Sequence, residues 1–375
     1  MAAATAANFP SKIRNDDMTN SFGLIGCGWR AEFYLRIARE LPGQFPIAGV
    51  VVRNAGKRAR LAARWAVPVF ATLDELLSNG KPSFVVTSVP WAANLPLLET
   101  FASRDLPVLS ETPIAPELPD LCRCYELVRA GARIQVAEQY LFQPAHAARL
   151  GLIRSGALGE IHEATVSFAH GYHGLSLLQR YLGVELQYPR IRARKFASRI
   201  VAGPGREGPP TELSIVPSER IIAELDYGDS LGIYDFTGDQ YFSWIRSPQL
   251  LVRGEKGEIN QSNVRILKEF NIPINFALVR DDTGHEGNLE GYSHRAIIGG
   301  GELLYQNPFP SARFSDDEIA VATSLLKMQN FVKTGESFYS AAEACHDRYL
   351  DILVSEAVES GQTVEARIQP WSSRD

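Results

Sequence analysis

FGLIGCGWRA, residues 22–31, runs from a short apolar strand through a GxGxxA turn into an amphipathic helix. Gly26 permits the tight turn, Gly28 lets a pyrophosphate approach the backbone, and Ala31 lets the helix pack closely on the strand. Trp29 and Arg30 lie inside the same turn. The helix start then aims unpaired N–H groups and a partial positive charge at the phosphates. Glycine turns are common, so the motif counts only in context. Here a strand precedes it, a helix follows, and a second strand comes about 20 residues on. A dinucleotide site explains that combination better than a structural turn does.

Outward from this stretch, residues 21–140 alternate short apolar runs with helical segments, the pattern of a parallel sheet wrapped by helices. Strands read at 22–25, 47–52, 84–87, 107–109 and 133–137, and helices at 31–40, 57–65, 94–101 and 118–131. Most of these strands lack period-two alternation, as expected where both faces are buried. Beyond residue 143 the character changes. A helix at 144–155 leads into a strand-rich stretch at 161–304, and helices at 316–334 and 341–360 close the chain. The expected architecture is α/β: a disordered tail at 1–20, a Rossmann dinucleotide-binding domain at 21–142, and an α/β domain at 143–375. The second domain is built on a large, mostly antiparallel open sheet and serves substrate binding and oligomerisation. Two domains also suit 375 residues, a length at which one core usually splits.

The second strand normally ends in an acid that accepts from the ribose 2′-OH of NAD. Here it ends Val51-Val52-Arg53-Asn54, with Lys57 and Arg58 close behind. A guanidinium and an ammonium suit the 2′-phosphate of NADP. NADP is therefore the expected cofactor, with NAD as the alternative; solvated basic residues at a helix start are the plainer explanation.

Composition removes other classes. Net charge is −5 with no basic block, which argues against nucleic acid or an anionic membrane surface as partner. No apolar run reaches the roughly 20 residues that span a bilayer, and residues 1–20 lack a secretory pattern. A cytoplasmic address follows. Cys27, Cys122, Cys124 and Cys345 are few and scattered, so neither a disulfide framework nor a zinc site is expected.

Several segments resemble the glucose–fructose oxidoreductase/inositol dehydrogenase (Gfo/Idh/MocA) family. They are FGLIGCGWRA (22–31), FVVTSVP (84–90), VLSETPIA (108–115), IQVAEQYLFQPAHAARLGLIRSGALGEI (134–161) and HGYHGLSLLQRYLG (170–183). SLLKMQNFVKTGESFYSAAEACHDRYLDILVSEAVESGQTV (324–364) is similar to the family's C-terminal helices. The likeness is close in the N-terminal half and loose between Ala193 and Ser315. It implies hydride transfer between nicotinamide C4 and a hydroxyl carbon of a sugar, cyclitol or similar polyol. It also places Pro90, Trp91, Glu111, Thr112, Pro113 and Gln139 along the nucleotide, and Tyr140 at the mouth of the nicotinamide pocket. In that family the lysine of an EKP motif and an Asp–x–x–x–His pair handle the proton. This chain has Thr112 for the lysine and Ala169 for the aspartate, while His173 takes the histidine's place.

Oxidising an alcohol needs a base for the hydroxyl proton. The Thr112 hydroxyl cannot serve at neutral pH, but an imidazole can. His173 is the leading candidate, with His170 and Tyr172 beside it in HGYH. Their plainer roles are core packing for Tyr172 and helix capping for His170. Substrate contacts are expected from Arg180, two helical turns beyond His173, and from Arg246, Arg280, His285 and His294. GHEGNLEGYSH (284–294) has His and acid content with irregular spacing, so it reads as a polar binding loop and no metal is expected.

The expected function is an NAD(P)-dependent dehydrogenase or reductase acting on a small sugar-like substrate. A redox-neutral, NAD-assisted glycosidase or lyase of the same fold is one alternative. A non-catalytic nucleotide-binding regulator is another. A homo-oligomer, dimer or tetramer, is expected through the second domain's sheet.

Overall fold

In the computed structural model, which describes residues 20–284 and 291–372, strand β1 (Phe22–Ile25) is buried along its whole length. Phe22 and Leu24 point into one apolar cluster and Ile25 into another, so the absent polar alternation marks two covered faces. The chain continues through α1 (Ala31–Glu40), β2 (Ile47–Val51), α2 (Ala55–Trp65), β3 (Val69–Phe70), α3 (Leu73–Asn79), β4 (Phe84–Thr87), α4 (Asn94–Ala102), β5 (Val108–Ser110), α5 (Leu118–Arg129) and β6 (Ile134–Val136). These strands form one parallel sheet in the order β3-β2-β1-β4-β5-β6. Strand order reverses between β1 and β4, and that switch opens a crevice at the strands' carboxyl ends. β3 and α3 escaped the sequence pattern because a two-residue strand has no period to read.

The second half carries α6 (Pro144–Arg154), β7 (Ile161–Ser167), α7 (Gly171–Leu182), β8 (Arg190–Val201), β9 (Ile215–Asp226), β10 (Leu231–Thr237), β11 (Gln249–Gly254), β12 (Gly257–Asn260), β13 (Asn263–Glu269) and β14 (Ile272–Ala277). Then come β15 (Val279–Thr283), β16 (Ser293–Gly299), β17 (Glu302–Gln306), α8 (Asp316–Thr334), α9 (Ala341–Ser360) and β18 (Val364–Glu365). Nine strands pair in the order β14-β13-β12-β11-β7-β10-β9-β8-β18, antiparallel except for β7 with β10. α7 and α9 pack against this sheet. This is the large, mostly antiparallel sheet expected from the sequence, and β15, β16 and β17 pair separately beside it as a second, three-stranded sheet. Leu278 is the break: its N–H still donates to Ser262 of the large sheet, while Val279 already pairs with Ile298.

The halves interlock. Phe309, Phe314 and the apolar side of α8 (Ile319, Ala322, Leu325, Met328) bury against β1, α1 and β4. At the other edge, the Gln135 side-chain carbonyl on β6 accepts the Phe338 and Tyr339 N–H groups at 2.9 and 3.1 Å. Among the described residues, no helix is long and apolar enough to cross a membrane.

Candidate functional site

A cleft of about 1320 Å³ opens where β1, β2 and β4 end, and α7 of the second half forms part of its wall. Gly26, at φ +113°, brings the turn so near β4 that a Cβ would sit 2.0 Å from the Ser88 carbonyl oxygen. A Cβ on Gly28 would meet no atom within 4 Å and would stand in the open cleft, in the space a pyrophosphate needs. No side chain caps α1; the Ala31, Glu32 and Phe33 N–H groups donate back to the Gly28, Trp29 and Arg30 carbonyls at 3.0, 3.2 and 3.1 Å. One guanidinium nitrogen of Arg30, Nη1, is buried there without a protein partner. These features fit a dinucleotide.

At the β2 end, Arg53, Asn54 and Lys57 line the cleft. The Asn54 side chain caps α2 by accepting the Lys57 N–H at 2.9 Å, and the Arg53 and Lys57 side chains are exposed at this end of the cleft. Pro90 and Trp91 form the wall beyond β4. Glu111 and Thr112 follow β5 into the cleft. Glu111 is anchored from below: it accepts the Tyr34 hydroxyl at 2.6 Å and lies 3.8 Å from Arg30. Burial and that carboxylate hold the Tyr34 hydroxyl protonated.

At the far end stand His170, Tyr172 and His173, all at the start of α7. His173 is buried, and its Nδ1 lies 2.5 Å from a carboxylate oxygen of Glu138, at the end of β6. Tyr140 packs on the His173 ring, centroids 4.9 Å apart, and its hydroxyl bonds Tyr241. Tyr241 holds His170 twice, at the backbone N–H (3.0 Å) and at Nδ1 (2.7 Å). Although His170 opens to the cleft, the rings packed around it and the neighbouring His173 push its pKa down to about 4. It is therefore neutral at physiological pH. Burial, reinforced by Glu138, raises the Tyr172 hydroxyl and keeps it protonated.

Other expected site residues lie elsewhere. Ala31 is buried beneath the turn, consistent with a packing position; Pro113 and Gln139 are also buried and do not line the cleft. Arg180 does not reach the cleft: two turns carry it about 10 Å down the helix axis. There it pairs with Glu185 and Glu343 and stacks over Tyr339. Arg246 is exposed in the turn after Tyr241, where its N–H bonds the Ser243 hydroxyl. His294 is buried in the three-stranded sheet, 2.6 Å from Asp282 and stacked on Tyr305, and Arg280 is taken by Asp316. His285 lies outside the described residues. Among the described residues, one group with metal-ligand geometry exists, Glu160, His162 and Glu255, at the surface and outside the cleft lining.

The family described as an oxidoreductase family with an NAD-binding Rossmann fold, Gfo/Idh/MocA, matches residues 20–138. The match covers the N-terminal nucleotide domain and stops short of α6. Inositol 2-dehydrogenase from Leifsonia xyli subsp. xyli is 30% identical over 142 residues, which is 37% of this chain and 42% of that protein. The chain thus matches less than half the length of that relative. Across nearly the whole chain the likeness is one of fold. A levoglucosan dehydrogenase solved with NADH and levoglucosan superposes with a TM-score of 0.66 at 14% identity, covering 92% of this chain and 99% of that one. An oxidoreductase from Agrobacterium radiobacter, solved with NAD+, L-tartaric acid and magnesium, gives 0.65 at 17% identity, covering 92% and 98%.

Sequence reasoning missed two residues of this region: Glu138, buried against His173, and Arg206 in the cleft lining. Glu138 had one available signal, a lone carboxylate closing a buried parallel strand, where active groups gather in open α/β sheets. Arg206 had none. It lies in the loop between β8 and β9, yet it lines the cleft and stacks on Trp29.

Proposed function

We propose that this protein is a Gfo/Idh/MocA-type, NAD(P)-dependent dehydrogenase or reductase of a sugar, cyclitol or glycoside-like substrate. The reading rests on one placement: His173 lines the same cleft as Gly28. When bound, the nicotinamide supplies the hydride acceptor or donor. The protein's share is the proton. Thr112 cannot take it, and a neutral imidazole can. Tyr140, Tyr172 and His170 crowd the same end and offer flat faces and polar edges to a hydroxylated ring.

NADP is the preferred cofactor on this reading, because Arg53 and Lys57 stand where an acid would select NAD. Exposed apolar side chains on the large sheet (Phe196, Ile215, Ile272) support self-association through it, and four free thiols fit a reducing cytoplasm. The test is turnover of NADP+ and NAD+ against a panel of sugars and cyclitols, followed by reduced-nicotinamide absorbance. Stoichiometric NADPH formation supports the reading. Turnover without net redox points to the lyase alternative, and cofactor binding without turnover points to a regulator.

A further inference from the structure

The geometry points to a Glu138–His173 dyad as the proton-handling unit of this cleft, with Glu138 as a positioning residue that fixes which imidazole nitrogen faces the substrate. The inference rests on the dehydrogenase reading and adds a residue to it. A carboxylate oxygen can only accept, so the His173 Nδ1, 2.5 Å from Glu138, carries the hydrogen between them. The lone pair of the neutral ring is then on Nε2. Because His173 lines the cleft, Nε2 is the nitrogen it can offer there.

Glu138 is itself held. Its second oxygen accepts the Tyr140 N–H at 3.2 Å, and the residue is buried with 2% of its surface exposed. An ionised carboxylate at such depth needs partners, and the His173 ring joins the Tyr140 N–H in that role. The ring is fixed on other sides by Tyr140, Tyr172 and His170, with centroids at 4.9, 4.4 and 5.0 Å. The groups facing the dyad are His170 and Tyr172 from α7, Tyr241, Tyr339 before α9, and Asp347 and Asp351 from α9. Burial pushes the Asp347 carboxyl up, and its oxygens accept from Gln179 and Tyr339; Asp351 is paired with Arg348 and accepts the Tyr172 N–H. Glu138 thereby supplies from β6 the carboxylate that Ala169 no longer supplies from the loop before α7.

In the oxidative direction the substrate O–H proton passes to Nε2 as the carbonyl forms. A bound nicotinamide would supply the acceptor for the C–H hydride, which closes the electron balance. Nδ1–H stays with Glu138, whose charge stabilises the imidazolium until Nε2 returns its proton to water. Balance needs no further reactant.

Nitrogen-15 NMR of histidine-labelled protein tests the tautomer without turnover. The His173 signals, assigned by their loss in His173→Gln, are expected to show protonated Nδ1 and bare Nε2 at neutral pH. A ring protonated at Nε2 overturns the dyad. Kinetics supply the second arm. Glu138→Gln is expected to lower kcat at least tenfold, to leave KM and nucleotide affinity within twofold, and to move the rising limb of the pH–rate profile to lower pH. Glu138→Asp should recover part of the rate. If Glu138→Gln fails to fold, the wild-type tautomer and Glu138→Asp still decide. An unchanged profile and rate in Glu138→Gln, with His173→Ala inactive, sinks the dyad alone. An active His173→Ala overturns the dyad as well, whereas a wild type that binds nucleotide without turnover sinks the dehydrogenase reading beneath it.

Discussion

Arg206 lays its guanidinium over the indole of Trp29, 4.1 Å from the ring centroid, and so joins the β8–β9 loop to the dinucleotide turn across the cleft. Such a contact is worth about 0.5–1 kcal/mol at an exposed site and more once desolvated. Arg206 and Gly28 line the same cleft, so a bound pyrophosphate would meet this cation's field. Arg206→Ala is expected to weaken nucleotide binding by roughly 5–30-fold through faster release, the equivalent of about 1–2 kcal/mol. Stopped-flow measurement of release checks it; an unchanged rate removes the clamp.

The two glycines of the turn should fail differently. Gly28→Val fills open cleft, so it should abolish binding of either nucleotide while the melting temperature stays close to wild type. Gly26→Ala forces a Cβ against the Ser88 carbonyl at a positive φ, so it should cost stability first. Thermal melts paired with nucleotide titration separate the cases.

Cofactor choice should reside at the end of β2. The Arg53 and Lys57 pair is expected to favour NADP over NAD by about 1–2 kcal/mol, the scale of one charge-assisted contact. Arg53→Asp should reverse the order. Equal affinity of the wild type for both would refute the assignment.

Restoring the family's lysine should not help. In Thr112→Lys an ammonium would enter the cleft wall shared with His170 and His173, and a nearby like charge disfavours a protonated imidazole. Turnover should fall at neutral pH. A gain would mean that Thr112 marks a lost group rather than an adapted site.

Acid should loosen the fold through buried neutral histidines. Burial lowers His346 to about 4, and it lowers His146 well below its ordinary value. Between about pH 6.5 and 4 the unfolded chain binds more protons at these sites than the folded one, so stability falls as pH drops through that window. For His346 the loss is on the order of 2–3 kcal/mol by pH 4. His346→Gln should flatten the dependence, as read from urea midpoints at pH 7 and pH 4.5.

How legible the chain was depends on the range of each interaction. β1, the turn and α1 were readable with the same boundaries because glycine geometry and helix periodicity act within a few residues. The ends of α8 and α9 were readable for the same reason; Ser315 with Glu318 and Ser340 with Glu343 form capping boxes. Arg180 was misplaced because helical spacing says which face a residue shares, not which acid captures it. Glu138 and His173 lie 35 residues apart on different elements, and nothing local in either segment announces the pairing. The break at Leu278 was hidden for a related reason: strand propensity runs through it, and only the choice of partner changes.

One flank of the first sheet, bearing Phe22, Leu24, Phe84 and Val86, is closed by Phe309, Phe314 and α8. That arrangement imposes an order on biosynthesis. A ribosome adding about 5–20 residues per second emits α8 roughly 10–40 s after β6. Throughout that interval the nascent nucleotide domain has α1 on this flank but lacks α8, Phe309 and Phe314, and the apolar surface they would bury is open to chaperones. The cell must finish nearly the whole polypeptide before the first third of it can settle.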